Sequence, residues 1–112
     1  MSKIDQSYIV NKVLKPLARR DSWCSTHSNC FRYSDHESKK HRDLKLREYI
    51  KARDSGMKVY CELQFSNGLR PDLVIVNKEG EIKIVEIVVS ENKDSIEQKR
   101  KMYPFPIEVI NE

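Results

Sequence analysis

Glycine and proline are scarce in this chain, three and four in 112 residues. It has no Gly/Ser-rich linker, no internal repeat and no low-complexity tract. These absences argue against repeat arrays and tethered modules and predict a single domain, 1–112. A chain of this length buries roughly two-thirds of its unfolded surface, enough for one core. No apolar run approaches the ~20 residues that a membrane span requires. The N-terminal stretch MSKIDQSYIV carries neither an apolar h-region nor a small-residue cleavage site. The expectation is a cytoplasmic protein with no membrane partner. The three cysteines are an odd number and form no CxxC pair, so reduced thiols are expected in that compartment. Cys24, His27 and Cys30 place soft ligands at short spacing, but a zinc site there needs a fourth ligand such as His36, His41 or Cys61. The plainer reading is two loop cysteines and one strand cysteine in the core.

What the chain has in abundance is charge. Charged residues make up 34% of it and the net charge is +4, which describes a solvated surface leaning towards a polyanionic partner. The basic residues gather at Arg19-Arg20, at Lys39–Arg47 and at Lys99-Arg100-Lys101. Each cluster can track phosphates or simply face water. Trp23, Phe31 and Tyr33 surround the first loop, where they either cap the core or stack on a base.

Ile9, Val10, Val13, Leu14 and Leu17 recur at helical spacing and predict an N-terminal helix that Pro16 ends near Lys15. Residues 21–34, rich in Ser, Asn and Asp, read as loop, so 1–34 is a helix and loop ahead of a 35–110 core. Ser34 and Glu37 have the spacing of a capping box and predict a helix starting at Ser34. Its expected apolar stripe is Leu46, Tyr49 and Ile50, with Ala52 and Arg53 at the edges, and Gly56 is its stop. The period then changes. Met57–Phe65 alternates, with Val59, Cys61, Leu63 and Phe65 on one face and Lys58, Tyr60, Glu62 and Gln64 on the other. After a turn at Asn67-Gly68, Arg70–Val76 and Glu81–Val89 read as strands joined by a tight connection at Asn77–Gly80. A helix over 92–103, closed by Pro104, and a last strand over Pro106–Ile110 complete an α/β order α-α-β-β-β-α-β.

If the hairpin turn centres on Glu79, Val76 faces Ile82, Val74 faces Ile84, and Asp72 faces Glu86. Directly opposed residues have Cβ atoms about 4.5–5.5 Å apart. Two carboxylates would then meet on a face otherwise lined by Val, Ile and Leu, a destabilising pair unless a cation binds between them. Mg2+ accepts one or two carboxylates and keeps several waters. It can activate water and stabilise charge at a phosphoryl centre. The plainer reading makes Asp72 a strand-start residue and Glu86 a solvent-facing edge residue, and a register shifted by one would send Glu86 to the other face.

Arg70-Pro71-Asp72, thirteen residues, then Glu86-Ile87-Val88 resembles the PD-(D/E)xK nuclease signature. The blocks before it, Glu37-Ser38 with His41 and Lys45 on one helix, Gly56 and Cys61-Glu62, make the chain most similar to the competence protein CoiA-like branch. The resemblance implies a restriction-endonuclease-like αβββαβ core with a mixed central sheet flanked by helices, here with an extra N-terminal helix. It implies a Mg2+- or Mn2+-dependent DNA endonuclease with no small-molecule cofactor. Asp72, Glu86 and Glu37 match the metal-binding acids. Glu62 matches an acid of the first strand, and His41 and Lys45 match helix positions of the branch. Lys39, Lys40, Arg42, Arg70, Lys99, Arg100 and Lys101 are the candidate nucleic-acid contacts.

Val88 stands where the family usually carries a lysine. Arg70, opposite it in the hairpin, or Lys45 on the helix can supply the missing positive charge; an arginine cannot serve as a base. The alternative is a degenerate domain that binds DNA or a protein without cutting. The small size is similar to junction-resolving enzymes, which act as homodimers, and the N-terminal helix offers an apolar face for one.

Overall fold

The computed structural model describes residues 6–19, 21–88 and 93–111. Arg20, Val89 and Asn92, read above as part of a basic cluster, a strand end and a helix start, lie outside them. The N-terminal segment is helical but not uniformly α. Helix α1 (Gln6–Ile9) passes into a π turn over Val10–Leu14, where the Lys15 N–H donates to the Val10 carbonyl, and then into a 3-10 turn over Lys15–Leu17. Val10 and Leu14 are buried, whereas Tyr8, Val13 and Leu17 face outward. Pro16 lies at the start of the 3-10 turn and Ala18 is already extended, as a proline stop requires. A short helix α2 (Trp23–Thr26) interrupts the stretch read as loop.

The main helix α3 (Lys39–Asp54) starts later than expected. Ser38 is its N-cap, its hydroxyl accepting from the His41 N–H at 3.1 Å. Ser34 instead closes a turn, its carbonyl accepting from the Glu37 N–H and its hydroxyl from the His36 N–H. The expected capping box therefore does not form, and the Glu37 carboxylate, one residue ahead of the cap, is released for other partners.

The apolar stripe also differs. Lys45, Glu48 and Ala52 are the buried positions, with Tyr49 partly covered, while Leu46 and Ile50 are 38% and 48% exposed. Successive residues of a helix are turned by about 100°, so a face centred on Lys45 sends Leu46 to the flank. Gly56, at φ +79, ends the helix in a conformation open to glycine without strain.

Strands β1 (Lys58–Cys61), β2 (Leu73–Val76), β3 (Ile82–Val88) and β4 (Ile107–Asn111) form one mixed sheet in the order β1-β2-β3-β4. The first two pairings are antiparallel, and β4 joins β3 in parallel after helix α4 (Lys93–Met102), as a crossover connection demands. The hairpin register is the expected one, Val76 facing Ile82 and Val74 facing Ile84. Its ladder ends at Leu73 and Val85, leaving Asp72 just beyond it.

One core layer joins Val10, Leu14, Tyr60, Val74, Ile84 and Tyr103. The other sets Ala52 of α3 on Val59, Cys61, Leu73, Ile75 and Val85. The chain is thus an α/β domain with helices flanking a four-stranded mixed sheet.

The first strand is shorter than the alternation implied. Glu62 stands at φ 61, a left-handed conformation rare for a side chain of its size. That residue breaks the pleat as a bulge does, and the alternation restarts out of phase. Leu63 and Phe65 therefore join Tyr60 rather than Val59 and Cys61. The outer side of β1 is met by Asn29: its N–H donates to the Val59 carbonyl at 2.6 Å, and its side-chain oxygen accepts from the Val59 N–H at 2.9 Å. No helix among the described residues is long and apolar enough to cross a membrane.

Candidate metal centre

Pro71 and the end of the ladder place Asp72 where its side chain can do what a further backbone rung would have done. Its Oδ2 accepts from the Ile87 N–H at 2.8 Å. Its Oδ1 lies 3.0 Å from His41 Nε2, one turn into α3. Glu37, freed from capping, sets Oε1 3.8 Å from the same His41 nitrogen and 3.2 Å from Lys45 Nζ. One ligand atom each from Glu37, His41 and Asp72 lies within 4.8 Å of the others, the group among the described residues suited to hold a metal ion.

Glu37 Oε2 is buried and has no hydrogen-bond partner. A buried unpaired carboxylate oxygen is costly, and a cation bound to the Glu37 carboxylate would offset that cost. Two carboxylates suit Mg2+ or Mn2+, and the imidazole favours a transition ion such as Mn2+. The residues present therefore fit a divalent cation.

Beneath the trio lies Lys45, with no exposed surface. Its Nζ donates to Glu62 Oε1 at 2.6 Å and to Glu37 Oε1 at 3.2 Å. The left-handed backbone at Glu62 accompanies this contact. Burial pulls the Lys45 pKa down, but the hydrogen bond to Glu62 and the charges of Glu62, Glu37 and Asp72 outweigh it and hold the ammonium above the usual lysine value. Arg70, largely exposed, brings Nε to 3.5 Å from Glu62 Oε2 at the rim.

Glu86 has other company. It is 7% exposed; its Oε1 accepts from the Tyr103 hydroxyl at 2.7 Å and its Oε2 lies 3.7 Å from Lys99 Nζ of α4. It is outside the Glu37–His41–Asp72 trio but joined to it through one peptide unit, since Asp72 holds the next N–H along β3. Tyr103 as the hydroxyl partner of Glu86 is the contact that sequence reasoning missed. Its signal is a tyrosine just before Pro104, where the chain turns back to the sheet.

The remaining candidates are scattered around this centre. Lys39, Lys40 and Lys101 are exposed. Arg42 lays its guanidinium over the Tyr33 ring. Arg100 donates to the Ile107 carbonyl and approaches Glu97. Val88 is buried at 3% and belongs to the apolar interior. Cys24, His27 and Cys30 do not form a ligand group among the described residues: His27 stacks on Trp23, and Cys61, the thiol nearest a core role, is 2% exposed. Burial pushes the Cys61 thiol up to about 11. Trp23 and Tyr33 are not core caps; only Phe31 of that group is partly buried, against Tyr49. Comparison with family models, curated proteins and solved structures finds no match to this chain.

Proposed function

We propose that this chain is a metal-dependent endonuclease of the PD-(D/E)xK type, with a restriction-endonuclease-like core and DNA as its substrate. The observation that carries the reading is the meeting of Glu37, His41 and Asp72, with one Glu37 carboxylate oxygen buried and without a partner. Those three side chains would hold Mg2+ or Mn2+. A cation bound there supplies a Lewis acid for the phosphoryl group and a water more easily deprotonated.

The protein's own groups do the rest. Lys45 fixes Glu37 and Glu62 in place and keeps a positive charge beneath the acids, in the role left open by Val88. The Ile87 N–H orients Asp72 so that its other oxygen faces His41. Glu86, held by Tyr103 and Lys99, is a reserve ligand whose recruitment requires release of the Tyr103 hydroxyl. Lys39 and Lys40 beside His41, with Arg70 at the rim and Lys99, Arg100 and Lys101 on α4, would bind phosphates in a salt-dependent way. Tyr8, Val13 and Leu17, exposed along the N-terminal helical segment, would supply apolar surface for a homodimer.

A second reading, a domain that binds without cutting, is favoured by Val88, whose burial leaves no charge at the usual lysine position. Supercoiled plasmid and a synthetic four-way junction, incubated with Mg2+ or Mn2+, separate the two. Cutting that depends on metal and is abolished by Asp72→Ala and by His41→Ala, with both variants folded, is the expected result. No cutting, with DNA bound equally by wild type and both variants, would overturn the enzyme reading and leave the binding domain.

A further inference from the structure

Trp23 and Tyr33 are 46% and 49% exposed, although aromatic side chains of this size ordinarily find cover in a core. Each is matched with a flat cation. The Arg32 guanidinium carbon lies 4.5 Å from the Trp23 ring centroid, and that of Arg42 lies 5.0 Å from the Tyr33 ring. The His27 ring is parallel to Trp23 within 6°, at 4.0 Å. Phe31 ties this loop to α3: its ring is 6.0 Å from Tyr33 and 5.4 Å from Tyr49. Arg42 directly follows His41 on α3, so the Tyr33–Arg42 pair is joined to the helix that carries the candidate metal centre.

The charges of this row are unspent. Among the described residues, the arginines engaged in ion pairs are Arg19, Arg47, Arg70 and Arg100, not Arg32 or Arg42. Lys39 and Lys40 lie exposed at the start of α3, next to Arg42.

We propose that Trp23, His27, Arg32, Tyr33 and Arg42 form a stacking surface for single-stranded nucleic acid. Every base has a π face, so rings and guanidinium planes bind bases with little regard to sequence, and free cations between them offset the phosphates. In a duplex those faces are occupied by neighbouring bases, so the surface discriminates for unpaired strands, such as a flap or the splayed arm of a branch. The inference extends the nuclease reading by giving its substrate an unpaired segment beside the cut, while the surface itself needs no metal.

The chain has one tryptophan, and it lies on this surface, so its fluorescence reports directly. The full-length protein is titrated in EDTA with an oligo-dT strand and with a duplex of equal length. The dT strand should change Trp23 emission and bind more tightly than the duplex. By anisotropy of a labelled strand, Trp23→Ala and Tyr33→Ala should each weaken binding about fivefold or more, and Trp23→Phe should retain most of it. Binding of dT unaltered by both alanine substitutions, or duplex bound as tightly as single strand, would overturn the proposal. Because EDTA removes cleavage from the assay, that failure leaves the nuclease reading standing, whereas intact dT binding without metal-dependent cutting would sink the nuclease reading alone.

Discussion

Replacing Lys45 with methionine takes away the buried ammonium while keeping much of the side chain's volume. Its Nζ lies 2.6 Å from Glu62 and 3.2 Å from Glu37, whose side chains are only 14% and 12% exposed. Removing one member of a buried ion pair costs about 3–5 kcal/mol, because the charge left behind has lost both water and partner. Residual access of solvent to the two carboxylates favours the lower end, about 3 kcal/mol. At 112 residues each kcal/mol moves Tm by about 4 °C, so a fall of roughly 12 °C is expected. Urea denaturation followed by far-UV circular dichroism measures the free energy directly. The cause is tested by adding Glu62→Gln to the variant, which removes one stranded charge and should restore about 1 kcal/mol or more. A Lys45→Met cost below about 1 kcal/mol, or a double variant less stable than the single one, would show that the stranded-charge argument is wrong.

Three further outcomes are expected. Leu73→Ala, at a position with no exposed surface, should cost about 2–5 kcal/mol, whereas Ile50→Ala on the outer flank of α3 should stay within about 0.5 kcal/mol; equal costs would contradict the observed helix face. Ser38→Ala should cost about 1 kcal/mol of cap energy and Ser34→Ala clearly less, again by urea denaturation, and the reverse order would restore the capping box at Ser34. With a disulfide-exchange reagent at pH 8, Cys24 and Cys30 should react while Cys61, buried and with its thiol pushed up to about 11, should wait for unfolding; three prompt thiols would contradict its burial.

The hairpin was legible because a tight connection at Asn77–Gly80 leaves few registers between the apolar runs Leu73–Val76 and Ile82–Val88. The inward face of α3 was not. Apolar spacing pointed to Leu46 and Ile50, and a lysine is the last residue expected inside. Lys45 is drawn in by carboxylates from separate segments, Glu37, Glu62 and Asp72, and that convergence exists only in three dimensions. The phase change after Cys61 was hidden for a similar reason, since the left-handed residue is Glu62 and no glycine marks it. Asp72, His41 and Glu37 were each named from the sequence. The expected meeting of Asp72 with Glu86 rested on extending the ladder one rung beyond Leu73, where the Asp72 side chain takes the Ile87 N–H instead.

Asn29, in meeting both backbone groups of Val59, acts as a one-residue substitute for a fifth strand. An open sheet edge is a template on which other chains add and aggregate, and here the middle rung of that edge is already taken from within. The loop's hold on Val59 is therefore a guard on solubility as well as a structural tie. Replacing Asn29 with alanine would remove the side-chain half of that hold and leave the Val59 N–H open at the sheet edge.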